Sequence, residues 1–375
     1  MLNRAGATAN SGHNENHMAI ATVYPWLQPA WEGVLARKAN LPHALLIHGR
    51  AGIGKFDFSR KLAQSLACEL PVANGAACGT CLSCRWFLAK SHPDYRELRP
   101  EALRVADGED LAEDLGEIAE EDVPSGKRKR KPSEEIKIEE IRELQDFIHL
   151  STHRTRGKTI LVYPAESLNR NAANALLKSL EEPPVSTRFI LVSHRPHSLP
   201  ATIISRCQQI GLPVPQSAVA ELWLREQGIS EPSLSLAQTG NAPLSALQLD
   251  ADDYWNQRKT LLGSLAARDV NALALAERIR DYPLARLVGW LQRWSYDLAL
   301  AKGTAQIRYN IDYHKEIIGT AANLQSLPIT RYHRSLNRWQ GLVNHPLNAR
   351  LFIEQLLLSY AALTRGATDF DGYAG

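Results

Sequence analysis

The chain has 375 residues, 44% of them hydrophobic, enough to bury a sizeable core and to divide into two or three domains. Its formal charge of +3 gives no global signature of nucleic-acid binding, because such proteins concentrate strong positive charge on one face. No run approaches membrane-spanning length and the polar start, Met1 to Met18, lacks the apolar core of a secretory signal, so a cytoplasmic protein without membrane contact is expected.

In chain order, residues 1–18 read as a disordered N-terminus. His43 to His48 is a short apolar run that ends in glycines, and a helical pattern through Phe58, Leu62, Ala63, Leu66 and Ala67 follows it. The order is strand, Gly-rich loop, helix. Gly49-Arg50-Ala51-Gly52-Ile53-Gly54-Lys55-Phe56 therefore reads as a phosphate-binding loop, with Gly49, Gly52, Gly54 and Lys55 as candidate contacts. In a working loop of this kind backbone N–H groups cradle phosphate, the lysine reaches the terminal phosphates, and a Ser or Thr hydroxyl ligates magnesium. Phe56 stands at the hydroxyl position and offers no oxygen. Hydrolysis should fail there, while passive nucleotide binding stays open.

Cys68, Cys78, Cys81 and Cys84 form a C-x9-C-x2-C-x2-C array that holds four of the chain's five cysteines. In a reducing compartment four crowded thiols read as a closed structural zinc site, because thiolates fill all four tetrahedral positions and leave none for catalysis. Cys68, which ends the preceding helix, is the most distant candidate ligand. From Glu101 to Asp122 acidic residues are opposed only by Arg104, and Lys127 to Lys131 is a basic pentamer. Like charges repel, so 101–131 is expected to be an exposed, mobile charged insertion.

Thr159 to Tyr163 and Phe189 to Ser193 are β-branched runs that flank a helix-like stretch from Asn171 to Glu182, stopped by Pro183-Pro184. Strands and helices thus alternate as in a parallel α/β sheet. Beyond Leu212 helical periodicity takes over. Leu284, Leu287, Val288, Leu291, Trp294 and Leu298 form one apolar stripe, and Leu351 to Tyr360 a more uniformly apolar last helix. Both stripes suit core or subunit contact.

Asn174-Ala175-Leu176-Leu177-Lys178-Ser179-Leu180-Glu181-Glu182-Pro183-Pro184 followed by Ser205-Arg206-Cys207 resembles the signature of bacterial clamp-loader subunits, the gamma/tau and delta-prime group. The position of the cysteine array after the phosphate loop is similar to that group's zinc module. The resemblance by motif covers about Tyr24 to Leu249, and the charged insertion departs from it. It implies an α/β RecA-like AAA+ domain over 19–212 with its zinc module at 68–84, a small helical lid domain over 213–252, and an all-α C-terminal collar domain over 253–375.

Aligned on Asn174 to Lys178, the magnesium-binding and catalytic acidic pair of the hydrolysing subunits would fall on Tyr163 and Pro164, and a sensor arginine near Pro243. Three losses in one pocket favour the delta-prime branch over the gamma/tau motor, since phosphoryl transfer needs metal and charge stabilisation together. The resemblance implies a part in ATP-dependent loading of the sliding clamp onto primed DNA, beside gamma/tau and delta subunits of DNA polymerase III. It also implies that Arg206 is an arginine finger acting in trans on a neighbour's ATP. Two alternatives stay open, an ATPase using Lys55 and Glu166, and a zinc-dependent DNA-binding module using Lys127 to Lys131.

Overall fold

Three apolar runs of the sequence become the inner strands of one parallel sheet. The computed structural model describes residues 23–108, 132–150, 152–154, 156–249, 253–267, 270–343, 345, 348–368 and 370. The expected disordered start at 1–18 and the charged stretch at 109–131, with its basic pentamer, lie outside the described residues. The chain divides into two compact units, Met1–Val214 and Pro215–Gly375. Among the described residues, no helix is long and apolar enough to cross a membrane.

The first unit carries five strands, β1 (Ala44–His48), β2 (Tyr95–Leu98), β3 (Lys158–Val162), β4 (Thr187–Ser193) and β5 (Gln208–Gly211), in the order β2-β3-β4-β1-β5. All neighbours pair in parallel, with Ala44 opposite Phe189, Leu45 opposite Gln208 and Lys158 opposite Thr187. Except for His48 and Arg188, every residue of β1, β3 and β4 is buried, as expected where helices cover both faces of a sheet. The edges β2 and β5 are polar and largely accessible, so their sequences lack a strand signature.

The helix Arg170–Glu181 starts where the Asn169 side chain accepts the Ala172 N–H at 2.8 Å, and it ends before Pro183. Its buried side, Ala172, Ala173, Leu176 and Leu180, packs in one cluster with Ile160, Phe189 and Leu191 of the sheet. A further helix, Ile138–His149, is closed at its C-terminal end by the Lys158 ammonium, which is 2% exposed and donates to the carbonyls of Phe147, Ile148 and Leu150. A cation there satisfies carbonyls that the helix itself leaves unpaired.

The first part of the expected charged insertion, 101–108, lies among the described residues. Glu101–Ala106 is a short helix, Glu101 accepts the Ser133 N–H at 3.1 Å, and Arg104 pairs with Glu140 at 3.5 Å. The Ala102 N–H also donates to the Ser133 carbonyl at 2.9 Å, so polar contacts distant in the chain hold a stretch that charge density alone reads as mobile.

The second unit is helical. Ala220, Leu224, Ile229, Leu236 and Ala246 make a small apolar cluster, and a larger one gathers around the helix Leu284–Thr304. Of the two roles that suited the Leu284 stripe, core and subunit contact, the structure shows the first, since Leu287, Val288, Leu291, Trp294 and Leu298 are all buried in that larger cluster. Trp294 Nε1 donates to the Tyr360 hydroxyl at 3.0 Å, and this hydroxyl donates to the Leu265 carbonyl at 3.2 Å, which ties three helices together. The buried Asp297 carboxylate accepts the backbone N–H groups of Arg308, Tyr309 and Asn310 at 2.8, 3.1 and 2.7 Å and so fixes the connection after the long helix. Along the last helix, Ala349–Thr364, Leu351 and Leu358 remain exposed on one side.

Leu291→Ala, a truncation in the larger cluster, is expected to lower stability by about 2–5 kcal/mol. Leu358→Ala should stay within about 0.5 kcal/mol of the parent. Urea denaturation followed by tryptophan fluorescence measures both.

Candidate functional site

β1 ends at His48, and the helix Lys55–Ala67 begins with Gly54 as its N-cap, so the expected glycine loop does run from a strand into a helix. Gly49 and Gly52 complete its turn. Gly54 has φ +88, and a Cβ there would come within 2.4 Å of the Tyr24 ring. Only glycine fits that position. Tyr24 in turn donates to Asp57 Oδ2 at 2.9 Å and stacks on Trp26 at 5.0 Å, while Trp26 Nε1 donates to the Ile53 carbonyl at 2.9 Å. The segment before the first helix therefore braces the loop, a contact with no sequence motif to announce it.

Lys55 is 2% exposed and turns inward, donating to the Arg50 carbonyl of its own loop. Burial pulls its pKa from 10.5 to about 8, against the opposing pull of Glu166. Glu166 follows β3, where one carboxylate oxygen accepts the His194 N–H at 2.9 Å and the other, though buried, has no hydrogen-bond partner among the described residues. Burial and then Lys55 push His194 down to about 4, so its ring is neutral at neutral pH. Lys55, Glu166 and His194 thus form one electrostatic group at the loop.

The positions that the family resemblance would give to magnesium ligands hold neither an aliphatic hydroxyl nor a carboxylate. Phe56 stacks on Tyr163 with centroids 4.5 Å apart and planes 27° from parallel. Tyr163 meets His194 edge-on at 5.5 Å, and the guanidinium groups of Arg60 and Arg99 lie 5.6 and 5.5 Å from the Phe56 centroid. Arg99 and Arg60 also pair with Glu97, at 2.7 and 3.4 Å. Phe56 has no oxygen to offer a hard cation, and burial raises the pKa of the Tyr163 phenol, which keeps it a neutral hydroxyl where a carboxylate is expected. Pro243, at the expected sensor position, is buried and opens the helix Pro243–Leu249 of the second unit.

Arg206 stands apart from this loop. It follows the short helix Ala201–Ile204 and precedes β5, whose Gln208 lies opposite Leu45 and whose Gly211 lies opposite His48. Three strand residues, about 10 Å at about 3.3 Å each, separate that end of β1 from the loop end. The guanidinium donates to the Thr202 carbonyl at 2.9 Å and pairs with Glu181, the last residue of the helix Arg170–Glu181, with both side chains part-exposed.

The four cysteines do come together. Cys68 caps the end of the loop helix, Cys81 caps the start of Leu82–Leu88, and all four sulfurs lie within 4.8 Å of one another. The Cys68 sulfur sits 3.6 Å from that of Cys78 and 4.0 Å from that of Cys81, and the Cys78 and Cys84 sulfurs are 3.9 Å apart. A tetrahedral ion with metal–sulfur bonds of about 2.3 Å requires sulfurs about 3.8 Å apart, so the donor set fits a metal. Backbone N–H groups of Cys78, Cys81 and Cys84 point at the sulfurs of Cys68, Cys78 and Cys81, at 3.3, 3.3 and 3.4 Å. The Cys81 and Thr80 N–H groups help lower Cys78 to about 6, whereas burial raises Cys84. Cys207 is buried elsewhere and takes no part.

The family described as DNA polymerase III, delta subunit, matches residues 33–216. A DNA polymerase III subunit delta-prime of Pseudomonas aeruginosa is 32% identical over 363 residues, 92% of this chain and 99% of its own length. The chain belongs to the DNA polymerase III delta-prime family. The Escherichia coli K12 member is 31% identical and covers 89% of each chain. A tau subunit of the same organism is 33% identical over 187 residues, 48% of this chain and 24% of its own. This delta-prime family member thus has an aromatic pair beside its glycine loop, where the resemblance would put magnesium ligands.

Lys55 keeps a folded-state pKa below its unfolded value, so the unfolded chain binds more protons between pH 8 and 10.5 and stability rises with pH across that window. Lys55→Met is expected to remove that rise and to add up to about 3 kcal/mol at pH 7, read from thermal unfolding as a function of pH. Cys81→Ser should release the metal and lower the melting temperature of the first unit, checked by elemental analysis of purified protein beside calorimetry.

Proposed function

We propose that the chain is a non-hydrolysing delta-prime component of the clamp loader, supporting ATP-dependent loading of the sliding clamp onto primed DNA in the cytoplasm. The observation that carries this reading is the Phe56–Tyr163 stack. Metal-assisted phosphoryl transfer needs oxygen ligands that hold magnesium against the developing charge, and two aromatic rings exclude them. Lys55 is retained, so nucleotide can be bound passively, but its ammonium is spent on the loop's own carbonyl.

Arg206 acts on the ATP of an adjacent gamma/tau subunit. It starts from the end of the sheet away from this chain's loop, which supports action in trans. Its present partner, Glu181, is a part-exposed carboxylate, and such pairs are worth about 0–1 kcal/mol, so a neighbour's phosphate can displace it. The four thiolates hold structural zinc, which fits their number and spacing. In the second unit, 213–252 serves as lid and 253–375 as collar. With the Leu284 stripe buried, Leu351 and Leu358 are the apolar contacts left on the last helix for other subunits, delta and gamma/tau.

Arg206→Ala is expected to leave folding and assembly intact while lowering DNA-stimulated ATPase of the reconstituted loader by on the order of a thousandfold. Unchanged ATPase would remove the finger. ATP turnover by this chain alone, dependent on Lys55, would replace the passive role with the hydrolysing one.

A further inference from the structure

Away from the phosphate loop, the first unit has a cavity of about 830 Å³ lined by Lys38, Arg156 and Arg188. These cations come from three separate segments. Lys38 lies in the turn before β1, Arg156 precedes β3, and Arg188 is the one accessible residue inside β4. The strand starts are forced together at Gly157, whose φ of +80 and close approach leave a Cβ only 2.0 Å from the Ser186 carbonyl oxygen. Ser186 itself adopts φ +60, a conformation that costs a non-glycine residue energy and that clusters at ligand-binding sites.

The facing wall belongs to the cysteine connection. Asn74 and Gly75, between Cys68 and Cys78, line the cavity, and the Gly75 carbonyl accepts both the Lys38 ammonium and the Ser65 hydroxyl at 2.8 Å. Lys38 donates a second hydrogen bond to the Ser65 carbonyl at 2.6 Å and keeps one N–H. Arg156 gives one N–H to the Glu69 carbonyl at 3.1 Å. The Arg188 guanidinium, on a half-buried residue, makes no hydrogen bond or ion pair with any described residue. Burial, together with repulsion from Arg156 and Arg188, holds the Lys38 ammonium below its ordinary pKa. The one carboxylate on the lining, Glu32, is exposed and accepts from Gln28 on its own helix at 3.0 Å.

The three cations converge with the exposed Glu32 as the one carboxylate among the lining residues, and the Cys68 sulfur offsets part of the charge at Lys38; the mutual repulsion that remains is relieved by a multiply charged anion. Forked guanidinium donors match phosphate oxygens, and the cavity volume falls within the range of about 300–1,000 Å³ found for small-ligand sites. We propose that this cavity binds phosphate groups, with Arg188 as the central contact and Lys38 and Arg156 at its sides. The phosphate is supplied either by a small polyphosphate or by the backbone of a nucleic-acid strand. Because Gly75 forms part of the wall, the cysteine cluster shapes the site.

The test uses the full, metal-loaded chain, with inorganic pyrophosphate followed by titration calorimetry and a fluorescent 12-nucleotide single strand followed by anisotropy at several salt concentrations. Arg156→Gln/Arg188→Gln is expected to weaken pyrophosphate at least about tenfold, whereas Lys315→Gln, on an exposed helix of the second unit, should not. If a strand is the ligand, the double variant also lowers the slope of log affinity against log salt by about 1.4, two contacts at about 0.7 each. Weakened pyrophosphate with an unaltered strand assigns the site to small phosphates. Should the double variant melt early, Arg156→Gln alone, at an exposed position, is read in its place. A correctly folded variant that leaves both affinities unchanged overturns the proposal.

Discussion

Parallel pairing of β1 between β4 and β5 is the constraint on which the rest of the first unit depends. Parallel strands put all their carboxyl ends on one side, and each return must cross a face of the sheet, so both faces are covered and the strands become apolar throughout. One side therefore collects the loop glycines, Tyr163, Glu166 and His194. Arg206 leads into the amino end of β5, while Arg156 and Arg188 lie just before β3 and near the start of β4. A single sheet thus places the glycine loop at the carboxyl ends of its strands and Arg206, Arg156 and Arg188 toward their amino ends.

At the loop, aromatic side chains stand where the resemblance would put a hydroxyl and a carboxylate. The Phe56–Tyr163 stack is embedded among His194, Arg60, Arg99 and Glu97, so it is a packed element of the core rim, not a vacancy left by a lost ligand. Restoring a hydroxyl at residue 56 alone would leave Tyr163 without its stacking partner and still supply no acidic pair. Lys55 survives in a desolvated setting that disfavours its charge, held by a backbone carbonyl and the field of Glu166.

The cysteine cluster works by short-range geometry. Helix ends place Cys68 and Cys81, and backbone N–H groups turned toward sulfur favour the thiolate at Cys78, whereas burial holds Cys68 and Cys84 toward the thiol. The same connection, through Gly75 and Lys38, borders the cationic cavity, so a local sulfur site and a nonlocal charge cluster share one wall.

Much of this was legible in the residues themselves. The strand, glycine loop and helix around Lys55, the inner strands β3 and β4, the helix ended by Pro183 and the C-x9-C-x2-C-x2-C spacing are local patterns, in which steric limits, periodicity and ligand spacing act over a few residues. Phe56, Tyr163 and Pro164 could be named as missing oxygens from alignment of motifs alone. Tertiary structure decided what depends on partners distant in the chain. It showed that polar β2 and β5 are edge strands, that Glu101–Ala106 folds because Ser133 and Glu140 meet it, and that the Leu284 stripe is buried within its own unit. It also paired Arg206 with Glu181 and gathered Lys38, Arg156 and Arg188. Sequence records which side chains exist and their local periodicity, whereas long-range packing determines which of them are neutralised, buried or left facing a ligand.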